Sequence, residues 1–177
     1  MQDLGSDNGL ILRVSEGKPA DWQAIARLRF RAWAPQAPAI QQLLPEGEWT
    51  DAHDEHAHHV TAWRGGTLVA AARVCQHELI TELHPLLAFG HRGPFAYISR
   101  LVVEPTFRGR GLASRVDEER AALARTFGAR WIVGCWSSLS GAVRQKHLER
   151  QGFRPFSSAP DDFPFPSEVV QWLAKDI

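Results

Sequence analysis

The stretch from Tyr97 to Ala113, Tyr-Ile-Ser-Arg-Leu-Val-Val-Glu-Pro-Thr-Phe-Arg-Gly-Arg-Gly-Leu-Ala, restricts the fold more than any other part of the chain. A β-prone run is broken at Pro105, a basic glycine loop follows, and a helical pattern begins near Gly111. Strand, tight loop and helix in that order make an anion cradle. Gly109 and Gly111 let backbone N–H groups come close to a ligand, and the first turn of a helix offers unpaired donors and a dipole that favours negative charge. Arg108 and Arg110 add two fixed charges suited to phosphate oxygens. The dinucleotide fingerprint Gly-x-Gly-x-x-Gly is incomplete, since Gly111 is followed by Leu112, Ala113 and Ser114.

Around this stretch the chain alternates β and α patterns. Leu10–Val14 suits a first strand, and after Pro19 the residues Trp22, Ile25, Leu28 and Ala32 recur at helical spacing until Pro35 and Pro38. Ala39–Leu44 suits a short second helix. Val60–Arg64 and Thr67–Cys75 flank Gly65-Gly66 and read as a hairpin. The insertion Gln76–Pro94 is long for a connection, so it is either a lid or wall of a ligand pocket or a cover over a sheet edge. Phe95–Val103 is the central strand. Leu112, Val116, Leu123 and Phe127 line one face of a helix that stops at Gly128. Trp131–Trp136 is an apolar strand, Leu139–Gln151 a helical stretch ending at Gly152, and Phe153–Phe156 and Val169–Leu173 are the last strands. At 177 residues this is expected to be a single domain, residues 1–177.

Composition matters mainly for what it excludes. Twenty basic and twenty acidic residues leave no net charge, which argues against nucleic acid or an anionic membrane as partner. No window approaches the run of apolar residues a membrane span needs, and the N-terminal residues lack the pattern of a secretory signal, so a cytoplasmic location is expected. Cys75 and Cys135 lie in apolar β-like runs and are read as reduced core residues. The segment from Asp51 to His59 holds four histidines and three acids; without a matching partner pair downstream it reads as a polar loop entering a strand near His58, and no metal is assigned.

Arg108-Gly109-Arg110-Gly111-Leu112-Ala113 resembles the Arg/Gln-x-x-Gly-x-Gly/Ala loop of the GCN5-related N-acetyltransferase superfamily, and the element order is similar along nearly the whole chain. The resemblance implies an α/β (α+β) fold with a mixed, mostly antiparallel sheet of about six or seven strands and flanking helices. It implies acetyl-CoA, or another acyl-CoA, as cosubstrate. Its diphosphate would lie on Arg108, Gly109, Arg110, Gly111, Leu112 and Ala113, and its pantetheine along Leu101, Val102 and Val103. Ser140 stands where the superfamily often has a pantetheine-contacting Asn. The acyl group would pass directly to an amine, on a small molecule or a protein, in a ternary complex, and members of the superfamily are often homodimers.

The glutamate that superfamily members often place on the central strand as base is replaced by Tyr97, which would orient a water, donate to substrate or form a pocket wall. The usual tyrosine acid falls at Leu148; His147 is the substitute candidate, with Ser137, Ser138 and Ser140 as alternatives. A second resemblance, to the acyl-homoserine-lactone synthase branch, rests on Leu28-Arg29-x-x-Ala32-Trp33, Asp51-x-x-Asp54, Arg73 and Ser99-Arg100. It implies that Arg29, Trp33, Arg73, Ser99 and Arg100 line an acceptor site and that longer acyl thioesters serve as donors. Two acids of that branch are Trp49 and Tyr97 here. A non-catalytic acyl-CoA-binding module is the reading from another class.

Overall fold

The computed structural model describes residues 2–7, 9–35, 38–79, 82, 93–136, 141–161 and 168–177. The chain folds as two compact units, Met1–Cys75 with Ser99–Ala122, and Gln76–Ile98 with Leu123–Ile177.

The first unit is built on antiparallel strands in the order β1 (Gln2–Asp7), β2 (Leu10–Glu16), β3 (His58–Arg64) and β4 (Thr67–His77), followed by the C-terminal half of β5 (Phe95–Val103). Gly65 and Gly66 both take positive φ, 54° and 78°, as the two-residue turn between β3 and β4 requires, and Arg64 pairs with Thr67 across it. α1 (Trp22–Trp33) presents Ile25, Leu28 and Ala32 to Leu68 and Ala71 of β4 and Val102 of β5. All of these are buried, and a leucine such as Leu28 withdrawn fully from water contributes roughly 1.5–3 kcal/mol. α2 (Pro38–Leu43) and a 3-10 turn over Ala52–Glu55 lie between α1 and β3. After β5, a second 3-10 turn, Pro105–Phe107, leads through the glycine loop into α3 (Leu112–Thr126).

The second unit holds the N-terminal half of β5, then β6 (Trp131–Trp136), β8 (Glu168–Asp176) and β7 (Arg154–Asp161), in that spatial order. β5 and β6 run parallel from Phe95↔Trp131 to Ile98↔Gly134, and the remaining pairs are antiparallel. Phe95, Val133, Val170, Trp172 and Ala174 form its core. α4 (Gly141–Arg150) ends with Gly152 at φ 89° and Phe153 N–H donating to Leu148 O at 3.1 Å. Among the described residues no helix is long and apolar enough to cross a membrane.

Two strands differ from expectation. β1, with Leu4 as its one large apolar residue, carries no hydrophobic alternation; backbone pairing to β2 along an edge makes it a strand. β7 runs on to Asp161, past the expected end at Phe156, and so includes Pro160. β7 is an outer strand, where a residue without an N–H breaks no ladder on its open side. The insertion expected to form a wall or a cover lies mostly outside the described residues, as do Ser137, Ser138 and Ser140.

Candidate active site

The glycine loop is open. Gly109 and Gly111 adopt φ 74° and 75°, a region L side chains rarely enter, and a Cβ built on either meets nothing within 4 Å. Arg115 N–H bonds Gly111 O at 3.2 Å and is the first intrahelical donor of α3. The N–H groups of Leu112, Ala113 and Ser114 precede it and have no carbonyl one turn back, as at any helix start. Arg108 has an architectural contact: its Nε donates to Val103 O at 3.1 Å and its Nη2 to Ala32 O at 3.4 Å, tying the end of β5 to the end of α1. Arg110 lies over the ring of Phe107, Cζ 5.4 Å from the centroid.

Behind the loop the first unit encloses a cluster of arginines and aspartates. Asp51 caps the 3-10 turn Ala52–Glu55, accepting from His53 N–H at 3.0 Å, while Asp54 Oδ2 accepts from Asp51 N–H at 2.9 Å. The turn thus fixes both carboxylates. Arg29, from the buried face of α1, gives Nη1 to both oxygens of Asp54 at 2.9 and 3.0 Å. Arg73 of β4 bonds Asp54 Oδ1 at 3.0 Å, Asp51 Oδ1, and through Nε the Ser99 hydroxyl at 2.9 Å. Arg100 holds Asp51 Oδ2 through Nε at 3.1 Å and Nη2 at 2.7 Å, and its Cζ lies 4.9 Å from the centre of a Trp49 ring. Arg120 of α3 pairs with Asp117 and donates to the carbonyls of Arg73 and Ser99 at 3.4 and 3.2 Å. Arg29, Asp54, Arg73 and Arg120 are at most 1% exposed, so these pairs are desolvated, and removing one partner strands the other.

The cluster fixes its own protonation. Burial raises the proton affinity of Asp51, but the charges of Arg100 and Arg73 outweigh this and hold its carboxyl well below the usual range. It is therefore no proton acceptor at neutral pH. Burial, with the Arg29 charge beside it, lowers His59 to about 4. The neutral ring fits its contacts: Nδ1 accepts from Arg29 Nη2 at 3.4 Å, and Nε2–H donates to Asp54 O at 3.4 Å. Burial pushes the Cys75 thiol up to about 11, away from a nucleophilic thiolate. Arg100 also has φ 54°, the one non-glycine positive value among the described residues, so the backbone of β5 is strained where its side chain reaches Asp51.

In the second unit Tyr97 is half-buried, its hydroxyl 3.6 Å from Cys135 Sγ and its ring 5.7 Å from that of Trp172. His147 lies in the last turn of α4, half-buried, next to the fully buried Leu148. Cys75 and Cys135 are both free thiols.

The acetyltransferase (GNAT) family model matches residues 22–153, most of the chain and all of the strand, glycine loop and helix just described. The chain belongs to the acetyltransferase (GNAT) family. Its general activity is that of an acyl-CoA-dependent N-acetyltransferase. Among solved structures, an acyl-CoA N-acyltransferase from Pseudomonas aeruginosa is similar at 19% identity and TM-score 0.63, with 94% of this chain and 99% of that chain covered. Escherichia coli ElaA is similar at 16% identity and TM-score 0.64, again covering 94% and 99%. Arabidopsis thaliana Naa50, in complex with the bisubstrate analogue CoA-Ac-MVNAL, is similar at 12% identity and TM-score 0.65, with the same coverage. These likenesses share the GNAT fold, a mixed sheet with flanking helices. A comparison with curated sequences found no match.

Within this GNAT domain the sequence-derived site residues fall into three groups. Leu101, Val102, Val103 and the six loop residues Arg108 to Ala113 are brought together at the end of β5 and the start of α3. Arg29, Arg73, Ser99 and Arg100 are joined in one hydrogen-bonded cluster, whereas Trp33 packs edge-on against Trp49 with centroids 6.1 Å apart. Tyr97 and His147 belong to the other unit. Sequence reasoning missed His59, Asp117 and Arg120 as buried polar members. For Arg120 a signal existed: it follows Val116 by four residues, on the apolar face of α3. The acids Asp51 and Asp54, in a histidine-rich stretch that invites a metal reading, ligate arginines; among the described residues no group of three or more His, Cys, Asp or Glu is placed to hold a metal ion.

Proposed function

We propose that this GNAT domain moves an acetyl group from acetyl-CoA directly to an amine in a ternary complex. The carrying observation is the open glycine loop at the start of α3, with positive φ at Gly109 and Gly111 and free space around both. In this reading the coenzyme's diphosphate rests on the first N–H groups of α3 and on Gly109, Arg110 and Gly111. Arg108 braces the loop from behind, and the backbone of Leu101–Val103 pairs with the pantetheine amides.

The amine nitrogen attacks the thioester carbonyl carbon, the C–S bond breaks, and the electron pair leaves with the coenzyme thiolate. An alkylammonium is neutral about once in two thousand at pH 7, so a proton acceptor relieves roughly 4–5 kcal/mol. Asp51 is unsuited; in this reading Tyr97 orients a water that takes the amine's proton and passes it to solvent. His147 protonates the thiolate. The decisive experiment titrates the protein calorimetrically with acetyl-CoA, octanoyl-CoA and free coenzyme A and then measures thiol release over a panel of amines. Tight acetyl-CoA binding with thiol release supports the proposal; binding without turnover on any amine favours the non-catalytic module; no binding sinks both. His147→Ala is expected to lower the transfer rate about a hundredfold with coenzyme binding retained, and a wild-type rate removes His147 from the role.

A second reading has its own observation. The residues shared with the acyl-homoserine-lactone synthase branch, Arg29, Asp51, Asp54, Arg73, Ser99 and Arg100, form one connected cluster rather than scattered surface pairs. Trp49, which replaces an acid of that branch, lies against the Arg100 guanidinium as a π-face. The resemblance to that branch implies longer acyl thioesters as donors, and preference for octanoyl-CoA in the same titration is its test.

A further inference from the structure

Beside the glycine loop, two arginines of the first unit share one aromatic ring and have no carboxylate partner among the described residues. Arg27, Arg29, Arg31, Arg73, Arg100 and Arg120 each bond a carboxylate. Arg64 and Arg110 bond none among the described residues. Both instead lie on one ring, that of Phe107, with Cζ 6.0 and 5.4 Å from its centroid. They come from different elements. Arg64 is the last residue of β3, at the tip of the Gly65-Gly66 hairpin, and Arg110 lies between the two loop glycines. The strand that follows the hairpin is tied to the loop's base, since Glu104 N–H donates to Val69 O at 2.9 Å.

A guanidinium lying on an aromatic face is positioned by its quadrupole, yet all five N–H donors stay available to an anion, unlike those of an arginine in a salt bridge. Phe107 therefore works as a mount for two open cations beside the glycine loop. Arg110, within the loop, faces whatever the glycines admit. Arg64 stands one element further out, where loop glycines and α3 N–H groups supply no donors.

From this we infer that Arg64, mounted on Phe107, is the specificity residue for the 3′-phosphate of the coenzyme's nucleotide, and that it distinguishes coenzyme A thioesters from thioesters lacking that phosphate. The inference rests on the proposed diphosphate site. Coenzyme A carries two phosphate-bearing positions on one ribose: the 5′-diphosphate, which the loop takes, and a 3′-phosphate separated from it by the sugar. An acyl group on a carrier-bound phosphopantetheine has no 3′-phosphate and gains nothing from Arg64. The site thereby favours free coenzyme thioesters as donors.

The test compares coenzyme A with dephospho-coenzyme A, by calorimetry at low salt, on the wild type, Arg64→Gln and Phe107→Leu. Wild type is expected to bind coenzyme A roughly fivefold to tenfold more tightly, the scale of one charge-assisted contact at a solvated site. Arg64→Gln brings the ratio close to one by weakening coenzyme A alone, and Phe107→Leu narrows it partly. Raising the salt narrows the wild-type ratio as well. Equal wild-type affinity for the two, or an unchanged ratio in Arg64→Gln, overturns the inference and leaves the diphosphate site standing. Failure of both coenzymes to bind the wild type overturns the two together. Adenosine 3′,5′-bisphosphate as a competitor gives an independent readout: it displaces coenzyme A from the wild type more effectively than from Arg64→Gln.

Discussion

Arg110 stands exposed on the ring of Phe107 between two glycines with space around them, while Arg100, earlier in the same strand-loop-helix stretch, is locked to Asp51 and laid against Trp49. The same side chain serves opposite ends in the two places. In the loop its donors are left open and the backbone does the shaping. In the cluster the donors are consumed, and the guanidiniums shape the backbone, drawing the 51–55 turn, α1, β4, β5 and α3 to shared carboxylates and carbonyls. A binding region needs unspent donors; a scaffold needs spent ones.

The sharpest way to break this contrast is to remove a carboxylate from the cluster. Asp54→Ala leaves Arg29 and Arg73 buried with their shared acceptor gone and is expected to lower stability by about 3–5 kcal/mol in urea unfolding. A loss below about 1 kcal/mol would mean the cluster is not the desolvated scaffold described. Replacing Arg29 and Asp54 together by apolar residues of similar size should recover much of the loss, because the uncompensated charge disappears with its partner.

Gly111→Trp probes the loop. A Cβ at this position meets nothing within 4 Å, and the positive φ costs about 1–2 kcal/mol of stability. Coenzyme A affinity should fall more than a hundredfold while the protein still folds. Unchanged affinity would sink the cradle.

Acid should act on the cluster and spare the loop. His59 has a folded pKa of about 4, below its ordinary value near 6.5, so between those values the unfolded chain binds a proton that the folded one refuses. Stability therefore falls as pH drops from about 6.5 to about 4, by on the order of 3 kcal/mol. Asp51, also depressed, adds a loss of the same sign once pH falls below the ordinary carboxylate range. Urea midpoints measured at pH 7 and pH 5 check this, and a flat profile contradicts the buried neutral ring. The smallest effect is within the cluster: Ser99→Ala removes the acceptor of Arg73 Nε and should lower stability by about 1 kcal/mol.

Much of the scaffold was legible because it rests on periodicity. Phe95–Val103 and Trp131–Trp136 stand out as apolar runs bounded by turn residues, and the Gly65-Gly66 pair marks its hairpin without help from the rest of the fold. The loop was legible for a similar reason, since glycine between arginines is a local demand. What escaped was non-local. Nothing near Asp54 in the sequence says that its partners come from α1 and β4, and a stretch with four histidines suggests metal chemistry before ion pairing. Arg29 gave a hint, lying four residues after Ile25 on the apolar face of α1, where a charge must find a partner. β1 left no pattern, because edge pairing through the backbone asks nothing of the side chains.

The contact between Arg100 and Asp51 spans 49 residues of chain. A ribosome releasing this protein from its N-terminus presents Arg29, Asp51 and Asp54 long before Arg100 and Arg120 have been made. Until then the two carboxylates remain hydrated and the α1 arginine has only part of its final company. Closure of the scaffold is thus a late event in synthesis, timed by the arrival of the strand and helix that also carry the glycine loop, so a nascent chain acquires its rigid frame and its ligand cradle together.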